Sequence, residues 1–406
     1  MNIVKKYIIA IIMISFILIF FKYNTREAID YSIDAALKKA GENRLELEFV
    51  LNYFKNDSIK YNAAKFLIQN MPGHFSITSP ELDEIKEIKY KKWHLNDSDK
   101  TKYAKFNYLE LPKSYDLKEI KASLLINNIN MAVDVWKSRP WHNKYNFDEF
   151  CEYILPYRIG DEPLEDWRTL YYNRYACILD SLYDGNDPVE AAEKIMTYAK
   201  HEGFDNYTDV KLPHLGASFL YKQRAGYCRE NCDIAIYILR SLGIPVAMDF
   251  YESSPSYNSR HYWTAIIDTC YPRKSIAFNY TEAPINRDNA TGTRKKGKVY
   301  RHYYSNQPKL VNYITTSNVP LFFKRQDIAD VTHEYFGYNS IVIDSYCMFK
   351  EPFIYLSIFN GNTYHPIDIS YAYNNQFNNI EPGVIYFPTK CIHEKNDCSR
   401  LSSFNQ

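Results

Sequence analysis

Residues 223–245 read QRAGYCRENCDIAIYILRSLGIP, and the rest of the chain is organised around them. Arg224-Ala225-Gly226-Tyr227 has the composition of a tight turn, and Cys228 stands where a helix begins. Behind it Ala235, Ile238, Leu239 and Leu242 recur at helical spacing and predict a buried stripe. Gly243 and Pro245 then stop the helix, because glycine accepts the left-handed cap and proline cannot continue it. Cys228 is therefore expected in the first turn of a buried helix. Unpaired amides and the helix dipole there favour a thiolate over a thiol, and the thiolate is the nucleophile. Cys232, one turn later, is expected to pack rather than react.

Such a nucleophile needs an imidazole within reach and a third group to orient that imidazole. Residues 246–251 (VAMDFY) read as a strand, 252–260 as a polar loop, and His261 opens a second strand, HYWTAIID. Alternation with a period of two places His261, Trp263, Ala265 and Ile267 on one face. A turn at Tyr271-Pro272-Arg273-Lys274 leads to a third strand, SIAFNY, where Asn279 is placed to accept the His261 ring N–H. Asp268 competes for that role but alternates to the opposite face. Gln223 has the chemistry of an oxyanion donor, although an exposed position explains it equally. The expected catalytic residues are Cys228, His261 and Asn279.

These residues resemble the transglutaminase-like superfamily. The pattern is a Gly-x-Cys turn (Gly226, Cys228), a helix ending LRSLGIP (239–245), and His-x-Trp (His261, Trp263). The family's third residue is usually an aspartate after a phenylalanine. Here Phe278 is followed by Asn279, which fixes an imidazole tautomer but stabilises the imidazolium less. The resemblance covers roughly residues 155–304 and implies a papain-like core, a Cys-bearing helix packed on an antiparallel sheet. It implies thiol-mediated acyl transfer at an amide or ester, of the peptidase, amidase or transglutaminase kind. The stretches ALKKAGENRLELEFVLNYF (36–54) and LPYRIGDEPLEDWR (155–168), with the C-terminal strands, resemble a group of exported bacterial transglutaminase-like proteins. That second likeness concerns architecture and carries no catalytic residue.

The N-terminus bears on compartment. Lys5-Lys6 precedes an apolar run over residues 7–21, broken by Ser15 and closed by Lys22. This is the layout of a secretory signal, short of the roughly 20 residues of a comfortable spanning helix. No Ala-x-Ala site follows, so an uncleaved anchor stays open, and a periplasmic, cell-surface or secreted protein is expected. The first cysteine is Cys151, which argues against a lipoprotein. The eight cysteines permit disulfides in such a compartment, Cys391 with Cys398 among them. A net charge of +1 gives no footprint for nucleic acid. No Cys/His spacing suggests zinc and no Gly-rich loop suggests a phosphate cofactor, so neither a metal nor a cofactor is called for.

Residues 25–75 read as helices, with Ala28, Ile33, Ala36 and Leu37 on one stripe and Leu45, Phe49, Leu51 and Phe54 on a second. Ala63, Ala64, Phe66, Leu67 and Ile68 mark a third helix. Residues 122–136, 147–154 and 188–200 read as further helices. Arg158, Glu162, Glu165 and Arg168 suggest a salt-bridge network on a loop or a cleft wall. The stretch 286–300 reads as a surface loop, its Arg294, Lys295, Lys296 and Lys298 solvated. From about residue 310, NSIVID, FIYLSIFN, YHPIDIS and GVIYFP read as short strands of a β-sandwich.

The expected architecture is α+β: residues 1–22 a signal or anchor, 23–120 a helical region, 121–309 the transglutaminase-like core and 310–406 a β-sandwich. The expected partner is a peptide or protein substrate, cell-envelope or glycan-linked, with membrane contact limited to the N-terminal segment. The alternative is a non-catalytic module that binds an envelope peptide or glycan on the same fold.

Overall fold

A computed structural model describes residues 32–90, 96–206, 212–257, 260–268, 275–282, 285–287, 294–307, 319–343, 353–374, 376–391 and 401–403. The expected signal at 1–22 and the Cys391–Cys398 pair lie outside what it describes. Among the described residues no helix is long and apolar enough to cross a membrane.

Three helices come first: α1 (Ile33–Ala40), α2 (Arg44–Phe54) and α3 (Ser58–Asn70). The Asp57 carboxylate caps α3 by accepting from the amides of Ile59 and Lys60. β1 (Phe75–Ile77), α4 (Pro80–Tyr90), α5 (Asp97–Lys105), β2 (Lys113–Tyr115) and α6 (Asp116–Glu119) lead to α7 (Ala122–Ser138). α8 (Phe147–Tyr153) starts at a capping box between Asn146 and Glu149. α9 (Trp167–Leu182) and α10 (Pro188–His201) follow. One apolar cluster joins α1 to α3 with α7 and α8 through Leu47, Val50, Leu67, Leu125, Ile129 and Phe150. The α2 stripe differs from the expected one. Leu47, Val50 and Phe54 are buried, whereas Leu45 and Phe49 are 75% and 58% exposed. Both sets fit helical spacing, and the packing of α3 and α7 selects the former.

β3 (Asp205–Asn206), α11 (Ala217–Gln223) and β4 (Ala225–Gly226) bring the chain to α12 (Cys228–Ser241). Arg224 caps α11 in the left-handed region at φ 41°. A buried set holds it there, with Glu202, Tyr175 and Tyr280 around its guanidinium. β5 (Val246–Tyr251), β6 (His261–Ile267), β7 (Ser275–Phe278), β8 (Tyr300–His302) and β9 (Ile328–Asp330) form one antiparallel sheet in the order β7-β6-β5-β8-β9. β8 and β9 are absent from the sequence reading. Each is three residues long, too short for alternation to register, and β8 adjoins the stretch read as a loop. Nor is the whole basic cluster solvated: Arg294 is exposed, but two of its lysines are not. Lys298 is 2% exposed and ion-paired with Asp330 (2.6 Å) and Asp368 (2.8 Å), and Lys296 is buried beside Trp263. A lysine stem of that length reaches through the structure to carboxylates that lie far along the chain.

The Arg158 network is also not local. Arg158 pairs chiefly with buried Asp116 of α6 at 2.6 Å. Arg168 has the carbonyls of Ile154, Leu155, Pro156 and Arg240 as partners, together with Asn128.

α13 (Thr332–Phe336) and β10 (Ser340–Val342) precede β11 (Phe353–Phe359), β12 (Tyr364–Tyr371), β13 (Gln376–Asn378), β14 (Phe387–Cys391) and β15 (Leu401–Ser403). A four-stranded sheet runs β12-β11-β14-β15, and β10 pairs with β13. Alternate residues of β11 enter two clusters: Phe353 and Tyr355 meet Val319 and Phe323, while Ile354 and Leu356 meet Phe377 and Ile380. Pro366 is accommodated on edge strand β12, at a register shift beside Leu356 and Ser357. GVIYFP becomes a strand only at Phe387. The chain is α+β.

Candidate active site

α12 owes its place to its apolar side. Ile234, Ala235, Ile236, Ile238, Leu239 and Leu242 are buried in one cluster with Val246, Met248, Ile266, Ile276 and Phe278 of the sheet. Its start is fixed by Glu230, whose carboxylate accepts from the Tyr227 amide at 2.9 Å and pairs with Arg229 at 2.7 Å. Gly226 packs on that side chain so closely that a Cβ would lie 2.2 Å from the Glu230 Cβ. The Gly-x-Cys turn is thus a packing requirement.

Cys228 is the first residue of α12 and half-buried. Two other described thiols are ruled out as nucleophiles by their surroundings. Burial pushes the Cys151 and Cys232 thiols up, and Cys232 lies 3.1 Å from the Cys228 carbonyl. Cys177 is exposed.

His261 opens β6 and is half-buried. Its ring lies 5.9 Å from that of Tyr251, its partner in the register, and 6.2 Å from that of Trp263. The predicted alternation therefore holds. Tyr251 belongs to both halves of the site, because its phenol is also within electrostatic reach of Cys228. Arg294 is a second shared neighbour. Its charge acts on Tyr251, Tyr257 and Tyr227, its guanidinium lies 4.3 Å over the Tyr257 ring, and Tyr227 in turn feels Cys228. Burial lowers the His261 pKa to about 4, with Arg294 acting in the same direction. The imidazole is neutral at neutral pH and so open to a proton, though burial makes it a weaker base than an ordinary histidine.

α12 packs against the other face of β6. Met248 and Ile266 pack in one cluster with α12, and alternation puts Thr264 on their face and Tyr251, His261 and Trp263 on the other. Tyr251 is thus the shared neighbour: its ring lies 5.9 Å from that of His261, and its phenol feels the charge of Cys228.

Asn279 follows β7, and its side-chain amide donates to Glu282 at 2.8 Å. It lines a groove with Lys200, Tyr280 and Glu282 against α10. Asn279 thus bonds Glu282 rather than accepting from the His261 ring, and Glu282 acts on His261 only through its charge, which raises the pKa. Sequence reasoning missed Glu282. Its signal was weak: a lone acid three residues beyond a strand end. Asp268 is bound to Arg287 at 2.8 Å, and Gln223 is exposed. Among the described residues no cluster of His, Cys, Asp and Glu could hold a metal ion.

No protein-family model matches the chain, and no curated protein matches it significantly. Among solved structures it is similar to a candidate cysteine protease from Cytophaga hutchinsonii, at 16% identity and a TM-score of 0.22. That match covers 34% of this chain and 50% of the other.

Proposed function

We propose that the protein is an exported thiol-dependent enzyme of acyl transfer, acting on an amide or ester of a peptide or protein of the cell envelope. The core is read as papain-like of transglutaminase type and the C-terminal strands as a β-sandwich. Cys228 attacks the acyl carbon as neutral His261 takes the thiol proton. The tetrahedral intermediate is held by amides at the start of α12, and its collapse sends the proton from His261 to the leaving amine or alcohol. Water, or an amine, then attacks the thioester with His261 again as base, releasing Cys228. Asn279 acts on His261 only through Glu282, whose charge favours the imidazolium. What supports this reading is a half-buried thiol on the first residue of α12 and a neutral imidazole at the start of β6, each of which acts on Tyr251.

The test is turnover of a peptide and amine library by wild type and by Cys228→Ala. Turnover that disappears in the variant, at unchanged melting temperature, is the expected result, and product masses identify the acceptor. Turnover that persists in Cys228→Ala overturns the reading. A second reading, an envelope-binding module without catalysis, is favoured by the position of His261 on the face of β6 turned away from α12. Iodoacetamide at about pH 6 separates the two. An activated Cys228 alkylates there, well below the ~8.5 of an ordinary thiol, and an unactivated one does not.

A further inference from the structure

On the Tyr262 side of β6, opposite His261, lies a cleft of about 480 Å³. Arg229 of α12, Tyr262, His302 of β8, Asn306, Arg325 and His214 contribute to its wall. The volume falls in the range of small-molecule sites and far exceeds that of one water.

Its polar groups are asymmetric. His302 Nδ1 lies 3.2 Å from Arg325 Nη2 and 3.5 Å from Asp327. Assigning Nδ1 as the acceptor of the nearer contact places the ring proton on Nε2. That Nε2 is buried with no partner among the described residues, as is Asn306 Nδ2. Arg229 directs Nε and Nη2 to Glu230 and to the Leu212 and Pro213 carbonyls. Arg325 directs the same two nitrogens to Asp327 and His302. Nη1 of each has no acceptor among the described residues. The carboxylates present are already engaged: Asp327 by Arg325, Asp161 by the His214 amide, and Asp233 by His214 Nδ1 at 2.9 Å. The unmatched groups are donors, so the complementary ligand is an acceptor. Buried donors without partners are costly, and bonds from them to an anion are among the stronger ones.

We propose that this cleft binds a small molecule bearing an oxyanion, a carboxylate or a phosphate, received by His302 Nε2, Asn306 Nδ2 and the two Nη1 groups. Tyr262 and Tyr303 supply ring surface for its organic part. The site is distinct from Cys228 and does not rest on the catalytic reading.

Calorimetric titration of the full chain with glutarate, and separately with inorganic phosphate, tests it. Saturable one-site binding of either probe is expected, and the one that binds identifies the source of the oxyanion. Cys228→Ala retains that binding. Asn306→Leu weakens it about tenfold at unchanged melting temperature, and Arg325→Gln weakens it further. Should Arg325→Gln fail to fold, Asn306→Leu carries the test alone. No saturable heat with either probe, or affinity unchanged in Asn306→Leu, overturns the proposal and leaves a water-filled cleft.

Discussion

On one face of the five-stranded sheet, Met248, Ile266, Ile276 and Phe278 receive α12 chiefly through apolar contact. On the other, Arg301 is bidentate on Asp249 (2.8 and 2.9 Å) and reaches Glu334 at 2.9 Å. Tyr335 donates to Asp249 at 2.6 Å and accepts from the Trp263 indole at 2.9 Å. Asp249 and Arg301 are as buried as the aliphatic residues behind them. The two faces solve burial in different ways. An apolar face loses stability in proportion to the volume removed, whereas a buried charge network holds only while complete.

The sharpest way to break this contrast is Asp249→Ala. It leaves the Arg301 cation buried with Glu334 as its remaining carboxylate. The expected loss is about 3–5 kcal/mol, read by urea denaturation. Replacing both partners by apolar residues of similar volume should recover most of it, since the desolvation cost disappears with the charges. A loss of about 1 kcal/mol or less in Asp249→Ala, where mild packing changes lie, would mean that the network is a solvated one.

The next effect is of pH. Burial lowers the His302 pKa to about 4, against 6.5 in the unfolded chain, and Arg325 adds to the shift. The folded imidazole therefore stays neutral while the unfolded one takes a proton. His302's contribution to stability is complete above pH 6.5 and is lost as pH falls from 6.5 to about 4. The loss amounts to about 3 kcal/mol below both values. His214 runs the other way. Burial alone would lower its pKa, but the Asp233 carboxylate outweighs it, and the net shift is upward. Its contribution is complete in acid and fades as pH rises through the folded value. Denaturation of wild type and His302→Gln at pH 7 and pH 4.5 isolates the first term. The stability difference between the two pH values should be smaller in the variant. On the apolar face the matching change is mild: Ile266→Val should cost about 0.5–1.5 kcal/mol at either pH.

The contrast also explains what could be read in the sequence. α12 and β5 to β7 were legible, because apolar period and a Gly-Pro stop are local signals. The spacing at Gly226 was legible as well, although its cause, the contact with Glu230, was not. Asp249 was invisible as an ion-pair member, since its partner lies 52 residues on in a strand too short to recognise. Lys298 was misread for the same reason: a charged residue in a Gly- and Lys-rich stretch looks solvated until its distant carboxylates are known. On α2 two stripes of equal periodicity competed, and the neighbouring helices decided between them. Asn279 was legible as a polar residue at a strand end, but its bond to Glu282 was not.

His261 lies on the face turned away from α12, beside Tyr251 and Trp263, and its titration gives the finest measure of the site. After burial, Arg294 acts on it downward and Glu282 upward, with the buried Lys296 adding to the downward effect. Arg294 and Glu282 are both exposed, so their effects are screened and small beside that of burial. Glu282→Gln removes the group that favours the imidazolium, and the His261 midpoint should fall by a few tenths of a pH unit. Arg294→Gln should move it the other way, toward the ordinary 6.5. Observation of the His261 ring protons by NMR across pH 3 to 8 reads both shifts without any substrate. Raising the salt from about 0.05 to 0.5 M should shrink them, since the Debye length falls below the width of the site. Opposite signs would show that the imidazole feels the Arg294 charge beside the Cys228 helix as well as the Asn279–Glu282 pair. A midpoint indifferent to Arg294 would leave Tyr251 as the one link between thiol and imidazole, and would favour the binding module over the enzyme.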